Sequence, residues 1–190
     1  EVVNMKTRKL ILTGLLIVIT VSLMFTLSSC NKLNKYAKMI NKSVDQVVSI
    51  ELDIQMSDQL QLVYEYNNKI TITDNKAHVE VTTSSLNSSF ELASTTSTED
   101  IENVNRKDLF QIDLNHKYLV SYEKEKNIVT CEVSKENIVN VLKNSHTNLD
   151  IAENAKLVLT FENKRLMTIS CKYQTSTAKD VEINAKYTYE

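Results

Sequence analysis

The chain has 190 residues, 22 basic and 24 acidic, with one glycine, no proline, no tryptophan and a formal net charge of −2. That balance supplies none of the counterion-release energy on which nucleic-acid binding depends, so DNA and RNA are excluded as partners. The one glycine is Gly14, so the chain beyond it cannot build glycine-rich phosphate cradles or a Gly-x-Ser-x-Gly turn. His78, His116 and His146 are far apart, and no HExxH, CxxC or EF-hand pattern occurs; no catalytic residue, metal site or cofactor is expected.

From Met5 to Cys30 the chain reads MKTRKLILTGLLIVITVSLMFTLSSC. Lys6, Arg8 and Lys9 form a short basic stretch, Leu10 to Leu27 is a nearly unbroken apolar run, and Leu27-Ser28-Ser29-Cys30 closes it with small residues before a cysteine. This segment resembles the signal peptide and lipobox of bacterial lipoproteins. The resemblance implies that residues 1–29 are removed, with Met5 the true start. It further implies that Cys30 is diacylglycerylated on sulfur and acylated as the new N-terminus, and that it holds the domain on the outer face of the cytoplasmic membrane. The alternative is an uncleaved transmembrane anchor, because the apolar run approaches spanning length; Thr13, Gly14, Thr20, Ser22 and Thr26 weigh against it. In either case the basic residues stay inside and the bulk of the chain lies outside. Loss of residues 1–29 takes three basic side chains and one acidic, leaving 161 residues with 19 basic against 23 acidic, a net charge of −4. That length suits one exported domain, residues 30–190.

After Cys30, the residues Leu33, Tyr36, Ala37, Ile40, Val44 and Val47 recur at helical spacing, with Lys32, Lys35, Lys38 and Lys42 between them. An amphipathic helix is predicted over Leu33 to Val47. It covers a sheet, and its lysines are placed to rest on anionic headgroups near the anchor. From Val48 the period becomes two: Ile50, Leu52, Ile54 and Met56 alternate with polar residues, then Leu60, Leu62, Tyr64 and Tyr66, then Ile70 and Ile72, Val79 and Val81, Phe90 and Leu92. These are strands with one dry and one wet face. Turns are expected at Ser57-Asp58, Asn67-Asn68-Lys69 and Asp74-Asn75-Lys76, where Asn and Asp replace glycine in left-handed positions.

Between Ala93 and Phe110 the alternation stops. Thr98 is expected to cap a short helix carrying Ile101, Val104 and Leu109 inward, as a connection or a lid. Strands resume through Tyr118, Val120 and Tyr122, turn at Glu123 to Asn127, and return through Val129, Cys131 and Val133. Ser134 is expected to cap a second helix, Lys135 to Lys143. Three strands close the chain: Leu157 to Phe161, Met167 to Tyr173 and Val181 to Tyr189. The fold class expected is α+β, an antiparallel sheet with an N-terminal helix and a second helix before the last three strands.

This order of elements, with the helix at Leu33 to Val47 entering the strand Ile50 to Met56 and the helix at Ile138 to Leu142 preceding the closing strands, is similar to the LolA-like lipoprotein-carrier superfamily. The resemblance implies a curved half-barrel whose concave apolar face holds acyl chains, with helices plugging its mouth. On that reading Leu52, Ile54, Met56, Leu62, Tyr64, Ile169, Tyr173 and Tyr187 line a site for a lipid or other apolar ligand; the same residues also serve as an ordinary core. Cys131 and Cys171 share the inward phase, and the exported setting permits either a disulfide or two inert core thiols. Two functions remain open: a membrane-tethered binding module for an apolar molecule, and a surface lipoprotein with a solid core that recognises another protein. An enzyme is not expected.

Overall fold

The structure, a computed structural model, describes residues 33–59, 61–109, 112–142 and 151–190. The leader and Cys30 lie outside the described residues, as do Phe110 and Lys143. The strands are β1 (Val47–Asp58), β2 (Gln61–Thr73), β3 (Lys76–Leu86), β4 (Leu92–Glu102), β5 (Leu119–Glu125), β6 (Ile128–Val133), β7 (Ala155–Glu162), β8 (Arg165–Gln174) and β9 (Asp180–Tyr189). They form one sheet in the order β4-β3-β2-β1-β9-β8-β7-β6-β5. Two antiparallel meanders thus meet at the β1–β9 pair, and β4 and β5 are left as the edges of an open, mostly β architecture.

Register explains the core. Residues directly opposite in an antiparallel pair point to one face. Ile50, Leu52 and Ile54 of β1 stand opposite Tyr187, Ala185 and Ile183 of β9. The same face continues through Ile169, Cys171 and Tyr173 of β8, Leu157 and Leu159 of β7, and Cys131 and Val129 of β6. This apolar surface is covered by α1 (residues 33–43), whose Leu33, Tyr36 and Ile40 are buried at i, i+3 and i+7. The Tyr36 ring centroid lies 5.0 Å from that of Phe161, tilted by 43°. α2 (Ile138–Val141) follows a 3₁₀ turn, Lys135–Asn137, and buries Ile138 and Val141 against the same core.

Several elements differ from those predicted. α1 stops at residue 43, where the buried Ser43 hydroxyl donates to the Ile40 carbonyl at 2.9 Å; a 3₁₀ turn, Val44–Gln46, then delivers the chain into β1. Val47, Val48 and Ile50 are β-branched and favour the strand over a fourth helical turn. The second helix is a single α-turn for the same reason, since Ile138, Val139 and Val141 fill it. Ser134 does not cap it; its Oγ accepts instead from Asn137 Nδ2 at 2.8 Å.

The helix expected from Thr98 is absent, and the segment is the edge strand β4. Of the two acids that follow Thr98, Glu99 stands opposite Val79 and Asp100 opposite His78, its Oδ1 2.6 Å from His78 Nδ1; further along, Glu102 Oε1 is 2.7 Å from Lys76 Nζ. The hydroxyl run pairs likewise, with Thr96 on Thr82 and Ser94 on Ser84, each at 2.9 Å. Cross-strand pairing overrides the local capping signal.

The expected turn at Asn67-Asn68-Lys69 lies inside β2, where both neighbours pair with its backbone. β1 likewise runs through Ser57 and Asp58, and the backbone turns at Gln59. Phe90 lies in the β3–β4 turn, 77% exposed with φ 61°. Asn87 builds that turn, its Oδ1 accepting from the backbone of Ser89 and Glu91 at 2.8 and 3.0 Å. Without glycine, left-handed positions fall to Asp74, Asn103 and Asn163 but also to Gln59, Lys126, Lys164 and Ala178.

Candidate functional site

Seven of the eight residues proposed to line an apolar site share the core face of the sheet; the exception is Leu62, which a register shift after Met56 places opposite Ser57, out of phase with Ile54 and Met56. Leu52, Ile54, Ile169, Tyr173 and Tyr187 are buried within one continuous cluster, Tyr187 at 1% exposure. Met56, Leu62 and Tyr64 are half-buried at the far end of the β1–β2 hairpin, where Met56 stands opposite both Tyr64 and Val181.

The disulfide considered for Cys131 and Cys171 is not formed: both thiols are free and buried. The two cysteines lie on β6 and β8, each opposite Leu157 of the intervening β7. Two strand spacings, about 9.5 Å, exceed the roughly 7 Å a disulfide can bridge. Burial pushes both thiols up to about 12, so neither carries appreciable thiolate at neutral pH.

The opposite face of the sheet is polar, and its middle is a groove of about 640 Å³. Register organises its lining into rows that run across the strands. One row is Thr82, Asn67, Asp53, Asn184 and Ser170, contributed by β3, β2, β1, β9 and β8. Beside it runs a row of alternating charge, Glu80, Lys69, Glu51 and Lys186, ending on Thr168. Lys186 Nζ lies 3.9 Å from Glu51 Oε2. On the other side Lys172 Nζ meets Glu182 Oε2 at 2.7 Å, Asn184 donates to Glu182 Oε1 at 3.0 Å, and Gln55 donates to Glu65 at 3.3 Å. Five strands at ordinary spacing make the central row about 19 Å long.

Asp53 is the centre of this arrangement. Its Oδ1 is buried with no hydrogen-bond partner. Burial first, and the negative charge of Glu65 second, hold its carboxyl above the usual range. Glu182 is held below it by its hydrogen bonds to Lys172 and Asn184. The groove therefore presents amide and hydroxyl groups around one under-coordinated acid, suited to accepting hydrogen bonds from a polar ligand. Among the described residues no cluster of three or more His, Cys, Asp or Glu is placed to hold a metal ion, and no helix is long and apolar enough to cross a membrane.

Sequence reasoning passed over this groove because a wet strand face looks like ordinary solvent surface. The signal it held was chemical: Asp53, Asn67 and Asn184 are strand-averse residues placed mid-strand.

No family model and no curated protein matches the chain. Among solved structures it is similar to the dehydratase domain from the CurJ module of Curacin polyketide synthase, at 8% identity over 74% of this chain and 76% of that one, with a TM-score of 0.17. A likeness of that size carries no argument about fold or chemistry.

Proposed function

We propose that the protein is a membrane-anchored extracytoplasmic lipoprotein with one non-catalytic binding domain, and that the uncovered face of its sheet recognises a polar segment of another envelope or surface protein. The observation that supports this is the contrast between the two faces. One is filled by its own side chains and α1, while the other offers an open groove around an acid with an unpartnered oxygen. Zero-length carbodiimide coupling on intact cells tests it. The reading expects a polypeptide joined through Glu51, Asp53 or Glu80, lost when Ser170→Arg and Asn184→Arg fill the groove. Coupling unaffected by those substitutions counts against it.

The anchor rests on the Leu27-Ser28-Ser29-Cys30 sequence. Cys30→Ala is expected to accumulate unprocessed precursor that takes up no labelled fatty acid. A second reading, a lipid or other apolar ligand held in a LolA-like half-barrel, is favoured by Met56, half-buried against the core, and by Tyr64 opposite it, with Leu62 half-buried near the same hairpin end. Lipid retained by the purified protein in native mass spectrometry would support it.

A further inference from the structure

Five cations converge along one side of α1. Lys35, Lys38 and Lys42 stand at i, i+3 and i+7 on the helix side away from the core, all exposed, and span about 10 Å along the axis. Lys164 and Arg165 approach from the β7–β8 turn, and the two groups line a cavity of about 550 Å³ that has no acidic residue in its wall. The turn is a two-residue connection, Asn163 and Lys164 both left-handed at φ 48° and 65°, the geometry of a tight hairpin that projects its side chains outward. Arg165 is fixed by Nη1 donating to the Glu190 carbonyl at 2.9 Å and by its place over the Tyr189 ring, 5.2 Å from the centroid. Among the described residues none of the four lysines has an ion-pair partner.

We propose that this pocket is a docking site for the phosphate headgroups of the anionic membrane to which the chain is tethered. The proposal rests on the anchored reading for the place of the bilayer. Three residue steps separate Cys30 from Leu33, so the first residue of α1 can lie no more than about 11 Å along the chain from the anchor. The charge of the domain gives the site its selectivity. With a net charge of −4 on residues 30–190, an anionic surface repels the domain everywhere except at a local excess of cations, so the pocket decides which side faces the lipid. Each cation held near an anionic leaflet adds to the attachment that acyl chains supply, and attraction fades within a Debye length. Docking here turns the tether into a fixed orientation.

The test uses the full chain reconstituted in vesicles, with a photo-reactive benzoylphenylalanine replacing Asn163 or, as control, Thr177 at the opposite end of β8. β8 spans ten residues, which separates the two probes by about 30 Å. In phosphatidylglycerol-containing vesicles the probe at 163 is expected to cross-link lipid about tenfold more than the probe at 177. The yield should fall by a similar factor in phosphatidylcholine alone and in a Lys35→Glu, Lys38→Glu, Lys164→Glu variant. These side chains are exposed, and circular dichroism of the variant checks that the fold is kept. Equal cross-linking from both positions, or no response to lipid charge or charge reversal, overturns the proposal. So does complete competition by inorganic phosphate at constant ionic strength, which would make the pocket a free-anion site. Fatty-acid labelling of the same preparation scores the Cys30 anchor separately, since an uncleaved leader holds the chain to the vesicle equally well.

Discussion

At the scale of single residues, the fold carries two groups whose electrostatics run in opposite directions. Asp53 is raised above its ordinary value of 3.8 by burial and by Glu65, so the fold favours its neutral form, and ionisation costs stability as pH rises through the folded value. Asp53→Asn is therefore expected to unfold at a higher temperature than the parent at neutral pH. The difference should vanish at pH below 3.8, where both side chains are neutral; thermal melts at the two pH values check this. Glu182 is lowered from 4.5, so its contribution is present above that value and is lost as pH falls through the folded one. Glu182→Gln should destabilise at neutral pH, a loss moderated by solvent screening. Ala178 sits at φ 59° in the exposed β8–β9 turn. Ala178→Gly relieves a left-handed Cβ contact worth about 1 to 2 kcal/mol and returns part of that as extra unfolded-state entropy, for a net gain below about 1 kcal/mol by denaturant titration. That such positions exist was legible from the missing glycines; which residues occupy them was not, since Ala178 and Lys164 carry no turn signal of their own.

Elements were legible where alternation of apolar residues set the register, as along Ile50 to Met56 and Val181 to Tyr189. They were illegible where polar residues form strands. Thr95 to Thr98 reads as a break because its neighbours in sequence give no apolar phase, and Asn67 to Lys69 because Asn-Asn carries a turn signal, although Tyr64, Tyr66, Ile70 and Ile72 keep one phase across it. Their pairing partners, Thr82, Thr83 and Val81 among them, lie on other strands, which local patterning cannot see. β4 is exposed along its whole length and is held by its ladder and cross-strand pairs rather than by burial. α1 is the reverse case, a helix of three turns that is marginal by itself and is stabilised by its apolar side. Tyr36, 7% exposed against Phe161, is its principal anchor. Tyr36→Ala is expected to cost about 2 to 4 kcal/mol. Hydrogen exchange should quicken selectively in residues 33–43 while the β7–β8 hairpin stays protected; uniform loss of protection would mean that α1 is not a separately held element.

At the scale of the whole molecule, the sheet has one face committed to packing and one left open, and function turns on which of them meets a ligand. The residues of the core face were identified from period two, yet their period cannot distinguish a filled interior from a cavity, because a lining and a core require the same side chains. Exposure distinguishes them in part: Ile169 is 3% exposed within the central cluster, whereas Leu62 is half-buried at the hairpin end. Ile169→Trp is therefore expected to overpack and destabilise by about 1 to 3 kcal/mol, while Leu62→Trp is accommodated at the rim with little change. On the polar-face reading neither substitution alters ligand recognition, and the unmodified domain shows no saturable binding of a fluorescent fatty acid. On the apolar-ligand reading the probe binds with a defined stoichiometry and Leu62→Trp expels it without unfolding the protein. Probe titration and denaturant melts on the same two variants thus assign the ligand to one face, because a residue cannot both pack tightly against its neighbours and yield its place to a guest.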